Sequence, residues 1–321
     1  MEGLEIVEGF REHFYSLVSQ IPEGKVATYG TLAEALGDKI AARAVGTMLN
    51  QNPNPIEIPC HRVVRSDGSL GGYGKGEEKK RGLLKKEGIK VKGGKLLNFE
   101  QVLFEEFESD QPLKDLRKIQ NKLKGKVSTV DSFQNITTVG GLDVSYSHPK
   151  AFAALSIWDE NEEMDNFTLK CEMTFPYIPT YLAFRELPCL LEVLRVAEKD
   201  PDLLLVDGNG VMHPKRAGLA SHLGVECGIP TIGVAKSKLC GRVVDKVNRQ
   251  NRVSKIKEDD ELVGHAVLEG NRAKNPIYVS PGHLVSHEEA VEIVRDYCTH
   301  KVPEPIRRAH IEANKRRKED G

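Results

Sequence analysis

The chain has 321 residues, a formal net charge of −1, and 39% apolar against 29% charged side chains. That length suits about two domains of roughly 100–200 residues each, and the composition is that of a soluble globular protein and not of a disordered one. Net charge gives no case for nucleic acid, no apolar run approaches the ~20 residues of a membrane span, and MEGLEIVEGFREHF lacks the basic start and apolar stretch of a secretory signal.

FREHFYSLVSQI (10–21) carries apolar residues at helical spacing and predicts a helix, stopped by Pro22-Glu23-Gly24. Thr31, with Glu34 three residues on, predicts the N-cap of a short helix that Gly37 ends, and a second helix follows over IAARAVGTMLNQ (40–51). The pair fits a helix-turn-helix and equally a plain helical hairpin. From 60 to 95 there are eleven Lys or Arg against four Asp or Glu, a run that a solvated face explains unless a binding element accompanies it. IKVKGGKLLNF (89–99) alternates and predicts a small hairpin. EQVLFEEFESDQPL (100–113) reads as a connector, part helical, and DLRKIQNKLKGKV (115–127) as an amphipathic helix.

From 136 the character changes. ITTVGGLDVSY (136–146), AFAALSIWD (151–159) and FTLKCEMTF (167–175) are strand-like, the last two antiparallel across a polar turn. YLAFRELPCLLEVLRVAE (181–198) predicts a helix, DLLLVDGNG (202–210) a buried strand entering a glycine loop, and GIPTIGVAKS (228–237) another strand. EEAVEIVRDYCTH (288–300) is helical, and a basic helix closes the chain. Strands alternating with helices after a meander give a mixed α/β domain. The six cysteines are scattered with no CxxC pair. This argues against a zinc knuckle or disulfide framework and for a reducing, cytoplasmic compartment.

Cys60 lies in NPIEIPCHRVVRSDGSLGGYG (54–74). A lone cysteine is usually structural, but Arg62 and Arg65 favour the reactive thiolate, and the glycine-rich loop lets a ligand approach the backbone. In extended chain Cys60 and His61 face opposite ways, so contact between them needs a turn or a bridging water. PCHRV, with YGTLAEALGDKIAARAVGTMLNQNPNPIEI before it and GGYGKGEEKKRGLLKKEG after it, resembles the C-terminal, DNA-binding half of the O6-alkylguanine-DNA alkyltransferases over about residues 8–97. The resemblance implies a mainly helical, winged-helix-like (helix-turn-helix) domain in which Cys60 accepts an alkyl group from guanine O6 by in-line displacement. By the same resemblance His61 acts through water as the base, Glu87 orients His61, and Asn52 braces the turn. Arg43 enters the stack in place of the flipped base, Tyr29 helps rotate the phosphate, and Tyr73 lines the pocket. The family's separate N-terminal domain is expected to be absent, whereas the cysteine missing from small relatives that only bind alkylated DNA is kept. Single-turnover transfer is therefore expected, and a lesion sensor is the alternative.

Asp143 and Asp207 each close an apolar strand-like run. Such residues are singly more often turn formers, but carboxylates at the ends of neighbouring strands can converge on Mg²⁺ or Mn²⁺, with Glu186 a third. GLDVSY, FPYIPTYLAFRE, LLLVDGNGVMHPKRAGLASHLGV, GIPTIGVAKSKLCG, SPGHLVS and PEPIRRAHIEAN, within about 112–314, resemble endonuclease V. That implies a ribonuclease-H-like α/β fold and cutting at the second phosphodiester 3′ to hypoxanthine. Asp143, Glu186 and Asp207 are implied to hold the metal, His310 to complete the cluster, and Lys236 and His213 to serve the scissile phosphate. Tyr177 is implied as the strand-parting wedge, while GNG and LCG frame the base. His222, His265, His287 and His300 read as structural or surface residues. The expected layout is 1–100 for the first domain, 101–111 as linker and 112–321 for the second. Expected partners are double-stranded DNA with alkylated guanine or deoxyinosine, with inosine-containing RNA as the alternative nuclease substrate and no membrane.

Overall fold

The computed structural model describes residues 1–160, 162–270 and 273–320. Two compact units emerge: residues 2–118 with 174–179, and Met1 with 119–173 and 180–320.

The first unit opens with α1 (Leu4–Glu8) and α2 (Phe10–Ser19). Phe10, Phe14, Leu17 and Val18 form the buried stripe of α2, at the spacing a helix requires. After β1 (Ala27–Thr28), α3 (Tyr29–Ala35) starts earlier than its expected cap. Thr28 is the N-cap, accepting from the Thr31 N–H at 2.9 Å, while the Thr31 hydroxyl accepts from the Thr28 N–H at 2.8 Å. A threonine at the third helical position thus closes the box that a Glu or Gln usually closes. α4 (Ala42–Asn50) follows one 3-10 turn later. β2 (Val63–Val64) pairs in parallel with β1, and α5 (Glu77–Lys86) leads into the expected hairpin of β3 (Val91–Lys92) and β4 (Lys95–Leu96). α6 (Phe99–Val102) and α7 (Pro112–Lys124) come next. The segment expected to link the domains is bonded along this unit: Val26 pairs with Val102 and Phe104, and the Leu113 N–H donates to the Leu36 carbonyl.

The second unit contains β5 (Thr138–Ser147), β6 (Lys150–Asp159), β7 (Glu162–Glu172), α8 (Leu182–Ala197), β8 (Leu203–Asp207), α9 (Leu219–Cys227) and β9 (Thr231–Ala235). β10 (Arg242–Val243), β11 (Val253–Glu258), β12 (Glu261–Val267), β13 (Ile277–His283), α10 (His287–Asp296) and α11 (Glu304–Glu319) complete it. The mixed sheet runs β10-β11-β12-β13-β9-β8-β5-β6-β7, with β8 parallel to both β5 and β9. β8 shows why LLLV reads as an unbroken apolar run. Leu204 and Val206 pack with Leu187 and Leu190 of α8, while Leu203 and Leu205 pack with Val291 and Val294 of α10. β11 is hard to see in sequence because its inward residues are Ser254 and Ile256. Among the described residues no helix is long and apolar enough to cross a membrane.

One expectation is corrected. Cys171 of β7 and Cys189 of α8 form a disulfide with their Cα atoms 6.0 Å apart, within the usual span of such a bond. Their separation of 18 residues has no motif spacing; only the packing of α8 on β7 brings them together.

His265 of β12 is 5% exposed, and burial, with the His287 ring beside it, pushes its pKa down from 6.5 to about 4 against the pull of Glu288. As pH falls through that window the unfolded chain takes a proton that the folded chain refuses. Stability held above pH 6.5 should therefore fall by up to about 3 kcal/mol by pH 4. Urea unfolding of the full chain checks this, and His265→Asn should flatten the slope; an equal slope in both proteins assigns the effect elsewhere.

Candidate active sites

In the first unit Pro59 leads into a 3-10 turn, Cys60–Arg62, so Cys60 and His61 are not on extended chain. The Asn52 side-chain amide donates to the Ile58 carbonyl at 2.9 Å, and Asn52 Oδ1 accepts from the Asn54 N–H, bracing the approach to that turn. Cys60 is 6% exposed yet lines an open cavity of about 810 Å³ together with Tyr29, Arg43 of α4 and Tyr73. Tyr29 is hydrogen-bonded to the Gly72 backbone, and the Tyr73 hydroxyl is buried without a partner.

His61 Nε2–H donates to Glu87 Oε1 at 2.7 Å, which leaves Nδ1 buried and unpartnered, its lone pair available to accept a proton. Burial lowers the His61 pKa, and Glu87 opposes that. Burial pushes the Glu87 carboxyl up, but hydrogen bonds from Arg62 and His61 outweigh it and hold the group below the usual range. Arg62 Nη1 also donates to the Ile21 carbonyl at 2.7 Å, so its guanidinium is a fixed brace.

Lys80 was not legible as a site residue. It is 0% exposed, donating to the carbonyls of Val63 and Gly72, and it ties β2 to the glycine loop behind Cys60. Burial pushes its pKa down to about 8, against the pull of Cys60. Within KGEEKKRG nothing distinguishes this lysine from its exposed neighbours.

In the second unit three adjacent strands present the polar groups. Leu142 of β5 pairs with Val206 of β8, so Asp143 and Asp207 stand side by side at the next position. Asp207 pairs with Val234 of β9, and Lys236 follows two residues on. Lys236 Nζ donates to Asp207 Oδ2 at 2.6 Å. His310 of α11 meets Asp143 Oδ2 through Nδ1 at 2.6 Å because α11 can lie close against β5. Gly141 permits this approach: a Cβ there would fall 2.1 Å from the Pro305 carbonyl carbon. Asn314, one turn after His310, donates to His310 Nε2 at 3.1 Å and accepts from Ser145 at 2.9 Å. Asn314 is thus a positioning residue visible only through the contact of α11 with β5.

Glu186 of α8 is buried and accepts from the Tyr146 hydroxyl. Burial, then Asp143 and Asp207, raises its pKa well above the usual carboxyl value. Burial and then Asp207 likewise raise Asp143 to about 6, with His310 and Lys236 pulling the other way. Asp207 thus raises the pKa of both Asp143 and Glu186, and carboxylates set this near one another are a donor set suited to a hard divalent cation, so the residues fit a metal in chemistry. As they stand, each is held by its own donor, Tyr146, Lys236 or His310, and among the described residues no three such side chains are set closely enough to hold an ion.

His213 and Tyr177 are not drawn into this cluster. His213 is buried, with Nδ1 accepting from the Lys215 N–H and Nε2 donating to the Thr180 carbonyl, so neither nitrogen is offered to a phosphate. Tyr177 is 57% exposed on the 174–179 segment that groups with the first unit. Gly210 of the GNG loop lies against β13, where a Cβ would meet the Pro281 carbonyl oxygen at 1.9 Å.

The family model described as 6-O-methylguanine DNA methyltransferase, DNA binding domain, matches residues 9–89, and that for Endonuclease V matches residues 121–311. A bifunctional methyltransferase/endonuclease of Thermoplasma volcanium is 36% identical over 303 residues, covering 93% of this chain and 87% of that one. Its counterpart in Picrophilus torridus is 37% identical over 298 residues, covering 93% of each. Among solved structures, endonuclease V of Ciona intestinalis, in complex with a 24mer DNA containing an inosine followed by a ribo-adenosine, is 32% identical. That match covers 66% of this chain and 100% of the other, with a TM-score of 0.61.

Proposed function

The chain belongs to the endonuclease V family and, over nearly its whole length, to the bifunctional methyltransferase/endonucleases, and on that premise we propose that it is a DNA repair protein with two separate chemistries. An N-terminal alkyltransferase DNA-binding domain precedes a C-terminal endonuclease V domain built on a large mixed sheet. In this reading the first domain is winged-helix-like, the second ribonuclease-H-like, and the protein works in the cytoplasm on double-stranded DNA.

Cys60 attacks the O6-alkyl carbon of a flipped guanine. The S–C bond forms as the C–O6 bond breaks, and the electron pair leaves on O6. The thiol proton passes through water to His61 Nδ1, the nitrogen left open by the Glu87 bond, and a proton returns to the guanine. Lys80 supplies a fixed positive charge behind the sulfur. The thioether is not reversed, so each chain reacts once.

In the second domain Asp143, Glu186 and Asp207 would hold magnesium or manganese. When bound, the ion neutralises charge at the phosphate and acidifies water. Lys236 stands ready to hold the scissile phosphate once released from Asp207, and His310, oriented by Asn314, keeps Asp143 in place. The expected cut is at the second phosphodiester 3′ to deoxyinosine.

The observation that carries the reading is the geometry of the two clusters: Cys60 opening on a cavity beside Tyr29, Arg43 and Tyr73, and Asp143, Asp207 and Lys236 on three adjacent strands. Two duplexes test it on the full chain, one with radiolabelled O6-methylguanine and one with a single deoxyinosine and Mg²⁺. One label per chain and a single nick are expected. No label would leave a lesion sensor in place of a transferase, and preferential cutting of a competing inosine-containing RNA would move the nuclease to that substrate.

A further inference from the structure

We infer that Tyr146 is a positioning residue of the acidic cluster: its hydroxyl holds Glu186 in the orientation from which that carboxylate takes a divalent cation. The inference rests on the reading of Asp143, Glu186 and Asp207 as metal ligands. It goes beyond that reading because Tyr146 is no ligand and acts only through Glu186.

Glu186 stands apart from the other two acids. Asp143 and Asp207 are short side chains at neighbouring positions of two paired strands. Glu186 projects from the first half of α8, is 8% exposed, and still feels the charges of both aspartates. A glutamate on a helix can take several rotamers, so the helix alone does not aim its carboxylate. Pro188, two residues on, also removes one N–H from the hydrogen-bond ladder of that turn. The Tyr146 hydroxyl donates to Glu186 Oε1, and this is the one hydrogen bond to that carboxylate among the described residues. The second oxygen is left without a donor there.

Tyr146 is itself fixed from several sides. Its ring packs against the apolar cluster that includes Leu187 and Leu190 of α8. The Arg185 guanidinium carbon lies 4.9 Å from the ring centroid, in the range of a cation–π contact. Arg185 directly precedes Glu186, so the helix that carries the carboxylate also clamps the tyrosine. The Tyr146 carbonyl accepts from Arg317 Nη1 of α11 at 3.2 Å, and on β5 the residue pairs with Ala151 of β6. The donor is also neutral. Lys236 meets Asp207 with a positive charge that a cation would repel. A phenol brings none, so its bond to one oxygen can persist while the other binds the ion. Hydrogen bonds of this kind orient a ligating carboxylate, and losing one weakens metal binding by about 10–100-fold.

Mn²⁺ affinity of the full chain without DNA, read by electron paramagnetic resonance titration, tests this in the wild type, Tyr146→Phe, Glu186→Gln and the double variant. Phenylalanine keeps the ring beside Arg185 and removes only the hydroxyl. The stoichiometry of the titration reports the folded fraction, so misfolded chain does not mimic a weaker site. Tyr146→Phe should weaken Mn²⁺ binding about 10–100-fold. Cutting of a deoxyinosine duplex should fall at low Mn²⁺ and return to near the wild-type rate when the ion saturates. In the Glu186→Gln background the same change should cost less than about twofold, since the hydroxyl then has no ligand to aim. An equal loss in both backgrounds would make Tyr146 a structural residue and overturn the proposal. Unchanged or tighter binding by Tyr146→Phe would also overturn it, making the hydroxyl dispensable or a competitor of the ion. A wild type that binds no Mn²⁺ would remove the metal reading of the acidic cluster, and the proposal with it.

Discussion

Cys60→Ser should stop alkyl transfer, by at least about 10³-fold, while the same chain goes on cutting a deoxyinosine duplex at the wild-type rate. A serine hydroxyl fits the space but is not a usable nucleophile at neutral pH, and nothing beside Cys60 could replace a thiolate. The 3-10 turn, the Asn52 brace and the His61–Glu87 pair would persist in the variant, so the loss would report the sulfur and not a collapsed site. The low exposure of Cys60 is no obstacle, because its surface faces the cavity that Tyr29, Arg43 and Tyr73 border. Labelled O6-methylguanine DNA and gel analysis of the protein check this. Label retained on the serine variant would move the acceptor elsewhere, and loss of cutting as well would mean that the two chemistries are not independent.

Individual side chains are legible in the sequence best where one element holds both the residue and its neighbours. The Cys60–His61 problem was visible from alternation alone: adjacent residues on a strand cannot meet, and the structure answers with a turn. Glu87, by contrast, reaches His61 from the C-cap of α5, a relation that only the family resemblance suggested. Lys80 was hidden because burial is decided by what α5 packs against, and charge alone marks a lysine as exposed. The same limit applies to the Cys171–Cys189 bond, which depends on the seat of α8 on β7, and to His213, whose Nε2 is engaged by the Thr180 carbonyl of a separate segment, while its Nδ1 accepts from the Lys215 N–H. α9 is not legible in sequence since Ser221, His222 and Gly224 break its apolar run. Asp143 and Asp207 were legible as strand-end acids, but their adjacency follows from the parallel pairing of β5 with β8, across a connection that includes two further strands and a helix.

Asp143→Asn should abolish cutting of the deoxyinosine duplex, by at least about 10³-fold, and at the same time make the metal-free protein more stable. Both follow from one cause. Burial and the neighbouring Asp207 raise the Asp143 pKa from 3.8 to about 6, so the folded chain holds a proton more tightly than the unfolded chain does. Stability contributed by the protonated carboxyl is present below pH 3.8 and is lost as pH rises through 6. At pH 7 the ionised group therefore costs folding roughly 1–3 kcal/mol, and asparagine removes the charge while its Oδ1 still accepts from His310. Urea unfolding in EDTA should show that gain, and alkyl transfer should be unaffected. Adding Mg²⁺ should close the gap by stabilising the wild type, whose carboxylates the cation relieves, and not the variant. An inactive but destabilised Asp143→Asn would show that Asp143 is a structural acceptor for His310 and not one of a set of mutually repelling ligands.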